Sequence, residues 1–233
     1  MTEARVLITS IRTAGRLDFD QPVGDPRLRV AGLDSPGAGQ MIGVLVARGP
    51  GQENTGAVIL KAFSGELLGV PRIEGWVPPL SGLSYGERKE AEVEIGTWVQ
   101  RSRVAEARLQ SPGLDRDEIR TLRRELAVTK RTRQDLSRAL MERIHREARV
   151  VTGAGRIRPL TEVFGLPGIP GGTGTCCAPK LLSEANRRGL EPLEVAEVWI
   201  GAPPKGRPRQ EGQVYPACSD KCRPLLGGIL CPR

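Results

Sequence analysis

The chain reads as an α/β protein carrying a long helical insertion, and three features of its sequence support that reading. Two apolar, β-branched-rich runs flank a turn early in the chain. A long arginine-rich segment repeats its apolar residues at helical spacing. Two cysteine-bearing segments, about forty residues apart, bracket an apolar run of strand character near the C-terminus.

Residues 1–40 are rich in Gly, Pro, Asp and Arg, with apolar runs only as short as Val6-Leu7-Ile8, and read as an irregular lead-in with a marginal strand. Residues 41–83 hold the first regular structure. Ile42 to Val46 and Ala57 to Ala62 flank GPGQENTG and predict a β-hairpin. Both runs are nearly continuous in apolar residues, so both faces should be covered. The following stretch to Ser84 is loop, punctuated by Pro78-Pro79.

From 84 to 150 the pattern turns helical. A first helix ends at the breaker Ser111-Pro112-Gly113. A second carries Ile119, Leu122, Leu126, Leu136, Leu140 and Ile144 at spacings near three and four. Asp115, Asp117 and Glu118 open it, as the helix dipole favours. The expectation is a basic antiparallel hairpin, with Arg120, Arg123, Arg124, Arg131, Arg133 and Arg138 available to phosphate. Residues 151–233 then hold a Gly/Pro-rich loop, the helix CCAPKLL, the strand LEVAEVWIG and YPACSDKC.

The 233 residues suffice for a core without disulfides. No stretch reaches the roughly 20 apolar residues of a bilayer span, and the N-terminus lacks a signal-peptide apolar region, so the cytoplasm is the expected compartment. Five cysteines in a reducing compartment favour metal over disulfides. A net charge of +8 makes an anionic partner plausible, nucleic acid first; a general arginine bias gives the same number. Aromatic residues are only 3% of the chain, which argues against a base-stacking platform and leaves structured RNA, held by its backbone, as the better fit.

Zinc takes thiolates in tetrahedral geometry. Cys218 and Cys222, at i and i+4, can share one face of a helix, and Cys177 at the preceding helix start completes the expected set of Cys177, Cys218 and Cys222. Cys176 is read as the spectator of its pair, Cys231 as an idle thiol and His145 as a surface residue.

The order of hairpin, Cys-Ala helix, apolar strand and Pro-preceded cysteine pair resembles the cytidine deaminase-like superfamily. That resemblance implies a three-layer α/β/α sheet and a zinc site, with the helical hairpin as an insertion. In that family a helix-start ligand followed by Ala-Glu supplies one ligand and the proton-shuttling glutamate; a P-C-x-x-C segment supplies the rest. Here the first ligand falls on Cys177, the glutamate position on Pro179, and the later ligands on Cys218 and Cys222 with one extra residue between them. Proline carries no proton, so the resemblance implies a structural zinc site and no catalytic residue; Glu184 and Glu197 stand outside the family position.

A second resemblance covers residues 41 to 230. MIGVLVAR, GWVPPL, CCAPKLL, LEVAEVWIGAPPK and YPACSDKCRPLLGGIL are similar to the N-terminal extension of RluA-type pseudouridine synthases. The synthase domain itself is missing. GRLD at Gly15–Asp18 matches its catalytic motif only in letters, and Asp18 is not read as catalytic. The function this implies is an RNA-associated accessory protein that partners structured RNA (tRNA or rRNA) or a separate pseudouridine synthase catalytic domain. Two alternatives stand beside it: a zinc-dependent deaminase or hydrolase acting on a base, nucleotide or small amidine, and a structural zinc module docking a protein.

Overall fold

The computed structural model describes residues 2–51, 56–165, 168–204, 206 and 208–231. The chain divides into a sheet unit, Met1–Gly82 with Ala148–Arg233, and a helical unit, Leu83–Glu147.

The sheet unit is mixed α/β. Strand β1 (Gln40–Arg48) pairs antiparallel with β2 (Val58–Phe63), with Ile42 opposite Phe63 and Ala47 opposite Val58. The middle of the expected hairpin turn, residues 52–55, lies outside the described residues. On its other side β1 pairs antiparallel with the last strand of the unit, Glu191–Ile200, so β1 is central in a three-stranded sheet.

The first forty residues are not an irregular lead-in. Residues Thr2–Ala14 form helix α1, and two short 3-10 turns follow at Pro26–Leu28 and Val30–Asp34. Ala4, Leu7 and Ile11 recur at three- and four-residue spacing and are buried, with Glu3 in the first turn and Arg12 in the last. The trio Val6-Leu7-Ile8 resembles a strand only when read alone. In the helix Leu7 enters the core while Val6 faces outward, 51% exposed.

Alternation along β1 splits the core into two layers. Ile42 and Val44 join Ala4, Leu7 and Ile11 of α1, with Ala196, Val198 and Ile200. Leu45 and Ala47 face the opposite side and join Leu60, Ala62, Cys177, Leu181 and Ala185. Strand β1 is thus covered on both faces, as its near-continuous apolar run predicts, whereas β2 leaves Ile59 44% exposed. The glycine-rich loop before Cys176 is described except for residues 166–167.

Two small strands, β3 (Arg149–Val151) and β4 (Ile157–Pro159), pair antiparallel and lead into a short helix, α4 (Leu160–Phe164). Residues 148–150 therefore leave the helical segment sooner than the pattern predicts. Val150 and Val151 are β-branched, and the Arg149 N–H donates to Leu80 O at 3.1 Å, which holds the chain extended.

In the helical unit, α2 (Tyr85–Leu109) and α3 (Arg116–Glu147) run antiparallel. Both open on reciprocal caps. Ser84 and Glu87 form a capping box for the first. For the second, Asp115 Oδ1 accepts from the N–H groups of Asp117 and Glu118 while Glu118 accepts from Asp115 N–H. The pair is tied by Ser102 and Thr129, whose hydroxyls lie 3.1 Å apart, and by ion pairs Lys130–Glu106 and Arg143–Glu87. Among the described residues no helix is long and apolar enough to cross a membrane.

Candidate metal centre

Two helix starts in the sheet unit build the site. Helix α5 (Cys177–Arg187) has Cys176 as its N-cap, and helix α6 (Cys222–Leu230) begins on Cys222. Successive residues at a helix start point about 100° apart, so Cys176 and Cys177 cannot face the same way. Cys177 belongs to the buried stripe with Leu181 and Ala185, four residues apart, and packs on the sheet. It is fully buried, its Sγ 3.5 Å from Met41 O. The strand makes room for it at Gly43, where an added Cβ would lie 2.4 Å from Cys177 Cβ.

Cys176 points the other way. Its Sγ and those of Cys218 and Cys222 all lie within 4.8 Å of one another, and these three residues could hold a metal ion. The side chain that meets Cys218 and Cys222 is therefore Cys176, where the sequence pattern selects Cys177. The stripe Cys177–Leu181–Ala185 is the signal in the sequence that separates the two. Cys218 also departs from expectation, because it precedes α6 and does not share a helical face with Cys222. Its Sγ accepts the Cys222 N–H at 3.2 Å, capping the helix with sulfur, and lies 3.2 Å from Cys222 Sγ.

Cysteine sulfurs around a zinc ion stand about 3.8 Å apart, as ~2.3 Å bonds in tetrahedral geometry require. The cluster is already close to that spacing. The three thiols are not equivalent. A hydrogen bond from Cys222 holds the Cys176 thiol below the ordinary cysteine range, against the opposing effect of burial. Cys222 is pushed up by the same hydrogen bond to Cys176 and by burial. Of these two, Cys176 gives up its proton before Cys222, and metal uptake would displace the remaining protons. Cys177 is pushed well up by burial and stays a thiol.

Beside the cluster lie two half-buried or buried ionisable groups. Glu197 on β5 (Glu191–Ile200) accepts the Ala178 N–H through Oε1 at 2.6 Å. Burial raises its carboxyl above the usual range, opposed by hydrogen bonds from the Ala178 and Cys177 N–H groups. Lys180 is 1% exposed; its Nζ donates to Phe63 O and sits 4.7 Å from the Phe63 ring centre. Burial lowers its pKa, and the nearby Cys177, Cys176 and Glu197 partly restore it. The sequence places Glu197 only outside the position where the resembled family keeps its glutamate, which reads as a surface or core-edge carboxylate. Its place on the α5 start is visible only once β5 is registered against β1, with Glu197 opposite Gly43. Glu184, the other carboxylate considered, is paired with Arg187 and Arg188.

The remaining candidates are not members of this cluster. His145 is buried in α3, not on the surface, and Cys231 is an exposed thiol at the end of α6. Of the arginines, Arg120 pairs with Asp117 and Arg138 with Asp135. Arg133 is half-buried, its Nε buried without a hydrogen-bond partner. Arg123, Arg124 and Arg131 are exposed and make no ion pair among the described residues. Asp18 is buried, bonded by Arg16 and by the Asp25 N–H at 2.7 Å, as a structural carboxylate would be.

No family model, no curated protein and no solved structure matches this chain.

Proposed function

We propose that Cys176, Cys218 and Cys222 bind one zinc ion and that the chain is a zinc-dependent hydrolase of the deaminase class, acting on a base, nucleotide or small amidine. The observation that carries this reading is a three-thiol cluster built on two helix starts, with no fourth cysteine, histidine or carboxylate in the group among the described residues. Three protein ligands and a vacant fourth position is the arrangement of catalytic zinc; structural zinc is closed by four. Zinc bound in such a set activates water at neutral pH. Thiolates select zinc or another thiophilic ion over magnesium or calcium. The deaminase-like fold belongs to the same proposal. A sheet in the order β2-β1-β5, with β1 antiparallel to both neighbours and helices on both faces, is consistent with it. With Cys176 as the first ligand, the second residue after it is Ala178 and not Pro179, and the Glu197 carboxylate lies on its N–H. The test is ammonia release from cytidine, deoxycytidine, adenosine, guanine and cytosine-containing oligonucleotides by zinc-loaded protein. Release that disappears in Cys218→Ala supports the reading; fully loaded protein that releases none contradicts it.

A second reading, an RNA-associated accessory protein, is favoured by Arg123, Arg124 and Arg131, exposed on α3 with no acidic partner among the described residues. It assigns these three, more than Arg120, Arg133 or Arg138, to phosphate contact, and it leaves the metal in a structural role. A synthase catalytic domain acting in trans is part of that reading. Affinity for tRNA or rRNA fragments that stays constant as salt rises contradicts it.

A further inference from the structure

The start of α5 is an unusual capping problem. The N-cap side chain of a helix ordinarily accepts the N–H of the second or third residue. Here the third residue is Pro179, which has no N–H, and the N-cap Cys176 makes no side-chain cap bond. The donors left at the helix start are the N–H groups of Cys177 and Ala178. The Ala178 N–H goes to an acceptor from another element, Oε1 of Glu197 on β5, at 2.6 Å, and the Cys177 N–H helps to hold the same carboxyl down. A carboxylate at a helix N-terminus is the favourable charge for that place.

The position of Glu197 is fixed by the sheet. It stands opposite Gly43, and the missing side chain at Gly43 lets Cys177 settle on the strand beside it. On the other side of Cys176, Thr175 is also pinned: its Oγ1 donates to Gly172 O at 2.7 Å and its carbonyl accepts Gly65 N at 2.9 Å. Cys176 is held from both directions through its neighbours while its own sulfur is spared.

We infer that Glu197 is the positioning residue of the metal centre: by capping α5 in place of Cys176, it leaves the Cys176 thiolate directed at Cys218 and Cys222. The inference rests on the reading of the three cysteines as a metal site. Without the Glu197 acceptor, the Ala178 N–H falls to the N-cap side chain, which ordinarily takes the N–H of the second or third helical residue, here Cys176 Sγ. A Cys176 sulfur turned onto the Ala178 N–H moves off the cluster, unlike that of Cys218, whose N–H partner belongs to Cys222 of the cluster itself. Outer-shell partners of this kind are worth about 10- to 100-fold in metal affinity.

The test uses the full chain, with zinc affinity measured against a competing chelator and the thiolate-to-cobalt absorption bands of the Co2+-loaded protein recorded in parallel. Glu197→Ala should bind zinc about 10- to 100-fold more weakly and lose intensity in the cobalt–thiolate bands. Glu197→Gln, which keeps an acceptor oxygen at the same reach, should stay close to wild type in both. A merely structural cap would lower the melting temperature of metal-free Glu197→Ala while leaving zinc affinity and the cobalt bands unchanged, and that result overturns the inference. Should Glu197→Ala not fold, Glu197→Asp withdraws the acceptor by one methylene; wild-type affinity in that variant equally overturns it. A wild-type chain that takes up neither zinc nor cobalt contradicts the metal reading itself, and the inference with it.

Discussion

Cys177 rests on Gly43, and the contact leaves no room for a side chain: a Cβ at Gly43 would come within 2.4 Å of Cys177 Cβ and 3.0 Å of Leu181 Cδ1. Here α5 packs directly against the central strand. The exchange Gly43→Ala therefore forces helix and sheet apart. Overpacking of this kind costs about 1–3 kcal/mol, so the melting temperature should drop by several degrees, which differential scanning fluorimetry can read. Because the displaced helix carries Cys176, zinc affinity should weaken as well. An unchanged melting temperature would mean that Cys177 does not face the strand.

Asp18 sets an acid limit on the sheet unit. Burial alone would raise its carboxyl, but the Arg16 guanidinium and the Asp25 N–H outweigh it and hold the group below its ordinary value. A carboxylate depressed in the folded state stabilises the fold above its unfolded pKa, and that contribution is lost as pH falls through the folded pKa. Stability should thus be level near neutrality and decline below about pH 4. Asp18→Asn should cost about 1.5–3 kcal/mol at pH 7, with a gap to wild type that narrows as pH drops, measured by urea denaturation across pH. The same residue in GRLD should have no effect on any catalytic readout.

How much of this was legible in the sequence depends on the range of the interaction that fixes each feature. The hairpin strands, the break at Pro112-Gly113 and the acidic start of α3 rest on local chemistry, and their patterns can be read directly. Helix α1 could not be read in that way, because Val6-Leu7-Ile8 gains its meaning only from Ala4 and Ile11 and from the core they enter. The choice between Cys176 and Cys177 was within reach through the four-residue stripe with Leu181 and Ala185. The role of Glu197 was not, since it depends on the β1–β5 register and on an acceptor lying nineteen residues from the donor it serves.

The arginines of α3 give a test of the nucleic-acid reading that is independent of the metal. Replacing Arg123, Arg124 and Arg131 by Gln removes three exposed positive charges without touching the buried Ser102–Thr129 contact. If these residues meet phosphate, binding to a tRNA fragment should weaken at every sequence tested. The slope of log affinity against log salt should also fall by about 2 to 3, from roughly 0.7–0.9 per contact. Fluorescence anisotropy at several salt concentrations measures both. The equivalent change at Arg120 and Arg138, already paired with Asp117 and Asp135, should have a smaller effect.

Cys176, and not its neighbour, is the residue proposed to complete the metal centre with Cys218 and Cys222. Native mass spectrometry of the wild type, Cys176→Ser and Cys177→Ser tests it most directly. One zinc per chain is expected in the wild type, none in Cys176→Ser, and one in Cys177→Ser. Zinc lost from Cys177→Ser but kept by Cys176→Ser, or no metal in any of the three, would contradict it.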